Sequence, residues 1–136
     1  MCNPSFVDIV NSTLEKVNAC ISQGTITFVQ SGKEREKNLN FIQTYSLGSN
    51  DRLKIIKELT KENLCQVMTE RVKDPKIYED LFVFGIEKKL IEKATGIEKE
   101  VQIYIKLQLC KLKGQNKSTL VISFHEAENK LSYFNW

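Results

Sequence analysis

Two segments near the C-terminus constrain the fold most strongly, because apolar and polar residues alternate along both of them. They are VQIYIKLQLCKL (residues 101–112) and TLVISFH (residues 119–125). Successive side chains of a β-strand point to opposite faces of a sheet, so each segment predicts a strand with one apolar face. The intervening KGQNKS contains turn-forming residues. The whole stretch therefore predicts an antiparallel hairpin.

The predicted hairpin has one apolar and one polar face. The apolar face comprises Val101, Ile103, Ile105, Leu107 and Leu109 of the first strand and Leu120, Ile122 and Phe124 of the second. A turn centred on Gly114-Gln115, of either two or four residues, places Tyr104 opposite His125 and Lys106 opposite Ser123. Side chains that face each other across a strand pair have Cβ atoms about 5 Å apart. We therefore expect Tyr104, Lys106 and His125 to form one polar patch.

The residue types of this patch suit RNA cleavage by the strand's own 2′-hydroxyl. That reaction needs a base for the hydroxyl proton, a cation for the charge on the phosphoryl oxygens and an acid for the leaving 5′-oxygen. A histidine such as His125 can act as acid or base. Lys106 can stabilise the phosphorane, and Tyr104 can orient the 2′-hydroxyl or stack on a base. The alternative is that these residues have only structural roles, because tyrosine favours strands and lysine protects sheet edges from aggregation.

The N-terminal part of the chain predicts an amphipathic helix. Apolar residues recur at steps of three and four from Phe6 to Ile21, as they do on the buried side of a helix. Asn3-Pro4-Ser5 is typical of a helix start and Gly24 of a helix end. TITFV, at residues 25–29, then predicts a short β-segment.

Three more helices are predicted between Gly32 and Val72. The first is highly charged and has a narrow apolar stripe, formed by Leu39, Ile42 and Tyr45. The sequence GSND, at residues 48–51, ends it and caps the next helix, which carries Leu53, Ile56 and Leu59. Thr60 predicts the cap of a last helix, which carries Leu64, Val67, Met68 and, if it is long enough, Val72.

The segment after Asp74-Pro75 has strand character. LFVFGIE (residues 81–87) predicts a strand, and KKLIEKATGIEKE (residues 88–100) predicts a charged loop with a helical turn. Helices first and strands second predict an α+β fold in which N-terminal helices pack on a C-terminal antiparallel β-sheet. The 136 residues suffice for one such domain, spanning 1–136.

Composition narrows the possible functions. The apolar runs are too short to cross a membrane, and no apolar N-terminal segment predicts secretion. The cysteines form no CxxC pair, and one histidine cannot complete a finger-type zinc site, so we expect reduced thiols in a cytoplasmic protein. No pattern predicts a metal or a cofactor. The net charge of +3 permits contact with phosphate groups without requiring it.

Four segments, read in order, resemble the MqsR family of type II toxin–antitoxin toxins, which are mRNA interferases with a RelE-like fold. They are VNACISQGTITFV (17–29), IIKELTKENLCQVM (55–68), IYIKLQL (103–109) and LVISFHEAE (120–128). The last two are the most specific, because the family has Tyr-apolar-Lys in one strand and Ile-Ser-Phe plus a basic residue in the other. The resemblance extends from about Leu14 to Glu128.

The resemblance implies catalytic roles for four residues. Tyr104 matches the family's active-site tyrosine, and Lys106 matches the lysine two residues later. His125 matches a position that lysine or histidine occupies in the last strand. Gln66 falls where the family has a catalytic lysine in a helix, and a neutral amide stabilises negative charge less well than an ammonium group.

The resemblance and the lysines around the hairpin also predict contacts with RNA. One turn or so after Gln66, a basic residue can replace the missing lysine, and further lysines flank the hairpin. The predicted RNA-binding residues are Arg71, Lys73, Lys111 and Lys113.

The function that the resemblance implies is a metal-independent endoribonuclease that cleaves mRNA by 2′-hydroxyl attack. Its implied partners are the mRNA substrate and a cognate antitoxin protein, and participation of the ribosome stays open. Loss of the family lysine at Gln66 leaves a weakened enzyme as one possibility. The alternative is a non-catalytic or degenerate toxin-fold protein that acts as a protein-interaction module.

Overall fold

The computed structural model describes residues 5–111 and 117–136 and has an α+β architecture, as the sequence predicts. Three helices contribute their buried residues to a core on one face of a five-stranded sheet. The helices are α1 (Phe6–Gln23), α2 (Arg35–Thr44) and α3 (Ser49–Lys57), followed by a 3₁₀ turn at Lys61–Asn63. The strands are β1 (Ile26–Phe28), β2 (Leu64–Met68), β3 (Tyr78–Ile91), β4 (Glu98–Lys111) and β5 (Lys117–Glu126).

The predicted C-terminal antiparallel strands are present, but one additional parallel strand makes the sheet mixed. The strand order is β1-β5-β4-β3-β2. Strands β2 to β5 form an antiparallel meander, whereas β1 pairs in parallel with β5. The elements also do not separate into helices first and strands second, because β1 lies between α1 and α2 along the chain.

Helix α1 begins and ends where the sequence predicts. The Ser5 hydroxyl accepts a hydrogen bond from the Asp8 N–H at 3.2 Å, which satisfies one free donor of the first turn. Gly24 ends the helix with a φ of 73°, a left-handed conformation that glycine adopts without steric cost. Asn3 and Pro4, also assigned to the helix start, lie outside the described residues.

Helix α2 buries only part of the predicted apolar stripe. Tyr45, directly after the helix, joins the core and Ile42 is half-buried, but Leu39 is 41% exposed, and the buried residues within α2 are Asn38 and Phe41. The reason is its position, because α2 packs against β5, the last strand of the meander. An amide on the buried side is therefore useful, since it can bond to strand backbone that lacks a neighbouring strand.

The Asn38 amide supplies those bonds. Its Nδ2 donates to the Ile122 carbonyl at 3.0 Å, and its Oδ1 accepts from the Phe124 N–H at 2.8 Å. Strand β1 pairs with residues 119–121 of β5 only. Asn38 therefore continues the hydrogen bonding of β5 where β1 ends, and it attaches α2 to the sheet.

The predicted helix after Thr60 is a strand. Thr60 caps a single 3₁₀ turn, with its hydroxyl accepting from the Glu62 N–H at 3.3 Å, and β2 follows at once. The apolar residues of LCQVM fit a helix and a short strand equally well. Pairing with β3 decides the conformation, and Gln66 consequently lies on a strand rather than on a helix.

The prediction of a charged loop at residues 88–100 is also wrong. Strands β3 and β4 continue through it as a long hairpin whose last pair is Ile91 with Glu98. In β3, one face of this distal part is exposed and the other is only partly buried, with Lys88 next to Leu90 on it, so no clear apolar alternation marks it. Only residues 92–97 form the turn, with the Gly96 N–H donating to the Glu92 carbonyl at 2.8 Å.

A β-bulge changes the faces of β5. The pairs Tyr104–His125 and Lys106–Ser123 are those that the sequence predicts, but the next pair is Leu107 with Val121. Ile122 is thus the extra residue of a bulge. Beyond it, Val121 and Thr119 face the core and Leu120 moves to the other face, which corrects the predicted apolar set of this strand. The predicted turn at Gly114-Gln115 lies outside the described residues.

Two further observations concern membranes and thiols. Within residues 5–111 and 117–136, every helix is too short or too polar to traverse a bilayer.

Cys20, Cys65 and Cys110 are free thiols, as expected, although Cys65 lies on β2 and not on a helix. Cys2 lies outside the described residues.

Replacement of Asn38 by alanine tests the attachment of α2. The Asn38→Ala variant leaves the Ile122 carbonyl and the Phe124 N–H without their partners, and each unpaired buried group costs about 1–3 kcal/mol. We expect the free energy of unfolding, measured by urea denaturation, to fall by about 2–6 kcal/mol. Asn40→Ala is the control, because Asn40 is an exposed residue of the same helix. Equal stability of the two variants would contradict the proposed attachment.

Candidate active site on the outer sheet face

The sheet face that points away from the helices, here called the outer face, brings together three predicted catalytic residues. Tyr104 and His125 are opposed across β4 and β5, and their rings stack with centroids 5.2 Å apart and planes inclined by 16°. Lys106 Nζ lies 5.9 Å from the centre of the Tyr104 ring. The patch that the alternation predicts is therefore present.

Gln66 lies on the same face as Lys106, in the row of paired residues that crosses β2, β3 and β4. Gln66 pairs with Val83, and Val83 pairs with Lys106. Two strand spacings separate the backbones of Gln66 and Lys106, which is about 10 Å. The Gln66 side chain is exposed and points into the same cavity as Tyr104.

That cavity has a volume of about 470 Å³ and lies between α2, the outer face and the residues after β5. Its size is that of a small-molecule site. The residues that line it on the sheet and on α2 are Glu34, Lys37, Cys65, Gln66, Val83, Tyr104 and His125. Residues 128–132 form the remaining wall.

His125 has an acceptor at each ring nitrogen. Nδ1 lies 2.9 Å from the Glu126 carbonyl, and Nε2 lies 2.6 Å from Glu34 Oε2. A carbonyl only accepts hydrogen bonds, so Nδ1 carries a proton. A second proton lies between Nε2 and the Glu34 carboxyl group, which makes the two side chains a hydrogen-bonded pair. The His125 side chain is 7% exposed and that of Glu34 is 24% exposed.

The electrostatic environment keeps the Tyr104 hydroxyl protonated. Burial raises the pKa of Tyr104 above its ordinary value, and the negative charge of Glu34 raises it further. The hydroxyl is therefore a hydrogen-bond donor at neutral pH. Burial also raises the pKa of the Cys65 thiol on the same cavity wall.

The segment that follows β5, residues 127–136, is here called the tail, and it crosses the outer face. The Leu131 N–H donates to Gln102 Oε1 at 3.1 Å, and the Phe134 N–H donates to the Leu64 carbonyl at 2.7 Å. The tail passes over Gly85, where a Cβ atom would lie 2.5 Å from Leu131 Cδ1. Glycine at this position therefore permits the close approach of the tail to β3.

An ion pair connects the tail to α2. Lys37 Nζ lies 2.5 Å from Glu128 Oε1, and both side chains are about half exposed. The hydrogen bond raises the pKa of Lys37 and lowers that of Glu128. The pair spans the cavity rim from α2 to the tail, so the tail is part of the site rather than a free end.

The predicted RNA-binding residues do not join this cavity. Lys73 contacts the Gln108 amide at 3.3 Å and lies over the Tyr78 ring, on the loop between β2 and β3. Arg71 is exposed on that loop. Lys111, at the end of β4, is seven positions beyond Tyr104, about 24 Å along the strand. Lys113 lies outside the described residues.

Sequence reasoning missed Glu34 and Lys37. They are three positions apart at the start of α2, so both reach the same side. The charged sequence GKEREKNLN predicts the helix but not which of its charges faces a site. The one available signal is Asn38, a polar residue on the helix side that the structure buries.

No group of three or more histidine, cysteine or carboxylate side chains able to hold a metal ion occurs in the ranges 5–111 and 117–136. The groups that the structure brings together on the outer face are the Tyr104 phenol, the Lys106 amine and the carboxylate–imidazole pair of Glu34 and His125.

The Gly85→Ala substitution tests the passage of the tail. The added methyl overlaps Leu131, so the tail must shift, and overpacking of this kind costs about 1–3 kcal/mol. We expect faster amide hydrogen exchange in residues 127–136. Gly48→Ala is the control, because its Cβ would meet only Asp51 Oδ2 at 3.6 Å. Adding Leu131→Ala removes the 2.5 Å overlap and leaves the milder contacts with Tyr133 at 3.1 and 3.2 Å, so it should restore part of the protection. Persistence of the full effect in the double variant would contradict this explanation.

The raised pKa of Tyr104 predicts a dependence of stability on alkaline pH. The folded protein holds the phenolic proton more tightly than the unfolded chain does, so this stabilisation is complete below the ordinary pKa of 10.0 and is lost as pH rises through the folded value. We expect the stability difference between the parent and Tyr104→Phe to shrink above pH 10.0. Urea denaturation on either side of that pH measures it. A difference that does not change with pH would contradict the prediction.

The chain was also compared with known proteins. Protein families, curated proteins and solved structures give no match. The resemblance to the MqsR family therefore depends on the sequence segments quoted above, and the site is defined by its own residues.

Proposed function

We propose that this protein is a type II toxin–antitoxin toxin of the MqsR kind, a metal-independent endoribonuclease that cleaves mRNA in the cytoplasm. The observation that carries the proposal is the convergence of Tyr104 and the Glu34–His125 pair on one cavity of the outer face, with Lys106 Nζ 5.9 Å from the centre of the Tyr104 ring. A base, a cation and a hydrogen-bond donor are the groups that cleavage by a 2′-hydroxyl requires.

Each group has a distinct task in this reaction. The Glu34–His125 pair provides the acid–base chemistry. Lys106 stabilises the charge that develops on the phosphoryl oxygens, an electrostatic contribution of the kind that accounts for 10²–10³-fold in rate, roughly, when a single donor is removed. Tyr104 keeps its proton, so its hydroxyl can donate to the phosphate or to the 2′-oxygen.

The cavity size favours a single-stranded substrate. A volume of about 470 Å³ accommodates a unit the size of one nucleotide and its phosphate rather than a duplex. Sequence-specific RNA recognition uses unstacked bases, which pack against aromatic or planar groups. The stacked pair of Tyr104 and His125 offers such a surface at the base of the cavity.

The partners of the proposed enzyme follow from the family resemblance alone. They are the mRNA substrate, a cognate antitoxin protein that neutralises the toxin and, as an open point, the ribosome. A RelE-like fold belongs to the same proposal, and the α+β architecture with an antiparallel meander is compatible with it.

A second candidate function is that of a non-catalytic toxin-fold protein that acts by binding a partner. The observation that favours it is the state of His125, whose two ring nitrogens both have partners and whose side chain is 7% exposed. Gln66, neutral where the family has lysine, points the same way. Under this function, loss of Lys106 or His125 leaves the phenotype unchanged.

Substitution of the patch distinguishes the two functions. We expect Lys106→Ala and His125→Ala to relieve the growth arrest that induced expression of the parent causes, and to reduce RNA cleavage in vitro by roughly 10²-fold or more. Lys89→Ala is the control, because Lys89 is an exposed lysine on the distal part of β3.

Circular dichroism and urea denaturation establish that each variant is folded. If both folded variants arrest growth as fully as the parent, the catalytic assignment is wrong and the binding function replaces it.

A further inference from the structure

We propose that Glu34, rather than His125, takes the proton of the attacking 2′-hydroxyl, and that His125 is a positioning residue that holds the Glu34 carboxylate. This inference rests on the proposed ribonuclease function and assigns the general base within it. The juxtaposition that carries it joins the start of α2 to the end of β5, across 91 positions of the chain.

The hydrogen bonds of His125 leave it no free ring nitrogen. Nδ1 donates to the Glu126 carbonyl, and the proton at Nε2 lies between the ring and Glu34 Oε2. A histidine that acts as a general base needs an unprotonated nitrogen within reach of the substrate. His125 has none in this arrangement, and its 7% exposure leaves little contact with the cavity.

Glu34 has the free atom that His125 lacks. Only its Oε2 contacts His125, and the side chain makes no capping bond to the first turn of α2. Among the described residues, Oε1 therefore has no hydrogen-bond partner. The side chain is 24% exposed and lines the cavity, so Oε1 can accept a proton from a bound ligand.

Charged and titratable groups surround Glu34 from every neighbouring element. His125 on β5 is the closest of these groups, with Nε2 2.6 Å from Glu34 Oε2. The other groups that face the cavity are Lys37 on α2, Cys65 on β2, Tyr104 on β4, and Glu128 and Lys130 on the tail. The Lys37 charge is shared with Glu128, which leaves His125 as the principal partner of Glu34.

The position of Glu34 is set by the attachment of α2. Asn38 lies one helical turn after Glu34 and is bonded to the β5 backbone at Ile122 and Phe124. These bonds place the beginning of α2 beside His125, one residue beyond Phe124. The two hydrogen bonds of Asn38 thus fix the helix that carries the Glu34 carboxylate, as a pre-organised base requires.

In the cleavage step, Glu34 and water account for every proton that is transferred. The 2′-hydroxyl proton passes to Glu34 Oε1 while the 2′-oxygen forms a bond to phosphorus. The bond from phosphorus to the 5′-oxygen breaks, and that oxygen takes a proton from water. The products are a 2′,3′-cyclic phosphate and a 5′-hydroxyl, and Glu34 returns its proton to solvent.

The first test is cleavage of a single-stranded oligoribonucleotide that contains a site cut by the parent. We expect Glu34→Gln, which keeps the size of the side chain but removes the carboxylate, to cleave about 10²–10⁴-fold more slowly than the parent. Glu36→Gln is the matched control, because Glu36 is an exposed glutamate in the same helical turn. Glu34→Ala should regain part of the lost rate when formate is added.

The second test separates a base from an acid. An oligonucleotide whose leaving 5′-oxygen is replaced by sulfur needs no proton at the leaving group. If Glu34 is the base, Glu34→Gln remains slow on this substrate. Recovery to the parent's rate would show that Glu34 acts on the leaving group, and it would overturn the inference.

The third test concerns His125. A positioning role predicts a smaller loss in His125→Gln than in Glu34→Gln, and no additional loss in the double variant, because both act through one carboxylate. It also predicts that imidazole fails to rescue His125→Ala. Rescue by imidazole, together with normal cleavage by Glu34→Gln, would make His125 the base.

The failure of this inference differs from the failure of the proposed function. If the parent protein cleaves no RNA, either free or on ribosomes, both the proposed ribonuclease function and the role of Glu34 are wrong. If the parent cleaves RNA and Glu34→Gln cleaves it equally fast, only the role of Glu34 is wrong.

Discussion

The amide of Asn38 is the contact on which the candidate site depends. The bulge at Ile122 and the early end of β1 leave the Ile122 carbonyl and the Phe124 N–H without a neighbouring strand, and the amide satisfies both. An unpaired backbone group in a buried position is costly, so the bond is strongly favoured. By attaching α2 to the edge of β5, it also places Glu34 against His125. One structural requirement, the completion of a sheet edge, therefore positions the Glu34–His125 pair.

The parts of the fold that the sequence predicts are those in which one face is buried. Alternation along β4 identifies the strand because Ile103 and Ile105 are fully buried and Tyr104 is not. In the distal hairpin this pattern is weak, because the face that packs Leu90 against the core also carries Lys88, and neither residue is fully buried. The segment of β2 is ambiguous for another reason. Its five residues suit both conformations, and only the pairing with β3, distant in sequence, makes it a strand.

The residues of the site can be separated in the same way, into those that the sequence predicts and those that it does not. Tyr104, Lys106 and His125 are predictable because strand register is local, and the bulge at Ile122 lies beyond the pairs that matter. Glu34 and Lys37 are not predictable, because their place depends on how a helix packs against a strand some 90 positions away. The helix itself offers many charges of similar spacing. The family resemblance does not help either, since it contributes Gln66 and the hairpin but nothing on α2.

The pairing of charges within the cavity determines what a ligand must supply. Glu34 is matched by His125, and Lys37 is matched by Glu128, so neither pair presents a full net charge to an approaching phosphate. Among the described residues, the nearby cations without such a partner are Lys130, which lines the cavity, and Lys106, which lies 5.9 Å from the centre of the Tyr104 ring. Two cations cannot hold a long polyanion by charge alone, since each phosphate contact contributes separately. Binding of the proposed RNA substrate would therefore depend on contacts to the base and on stacking over Tyr104, and the tail beside the cavity would be part of that recognition surface.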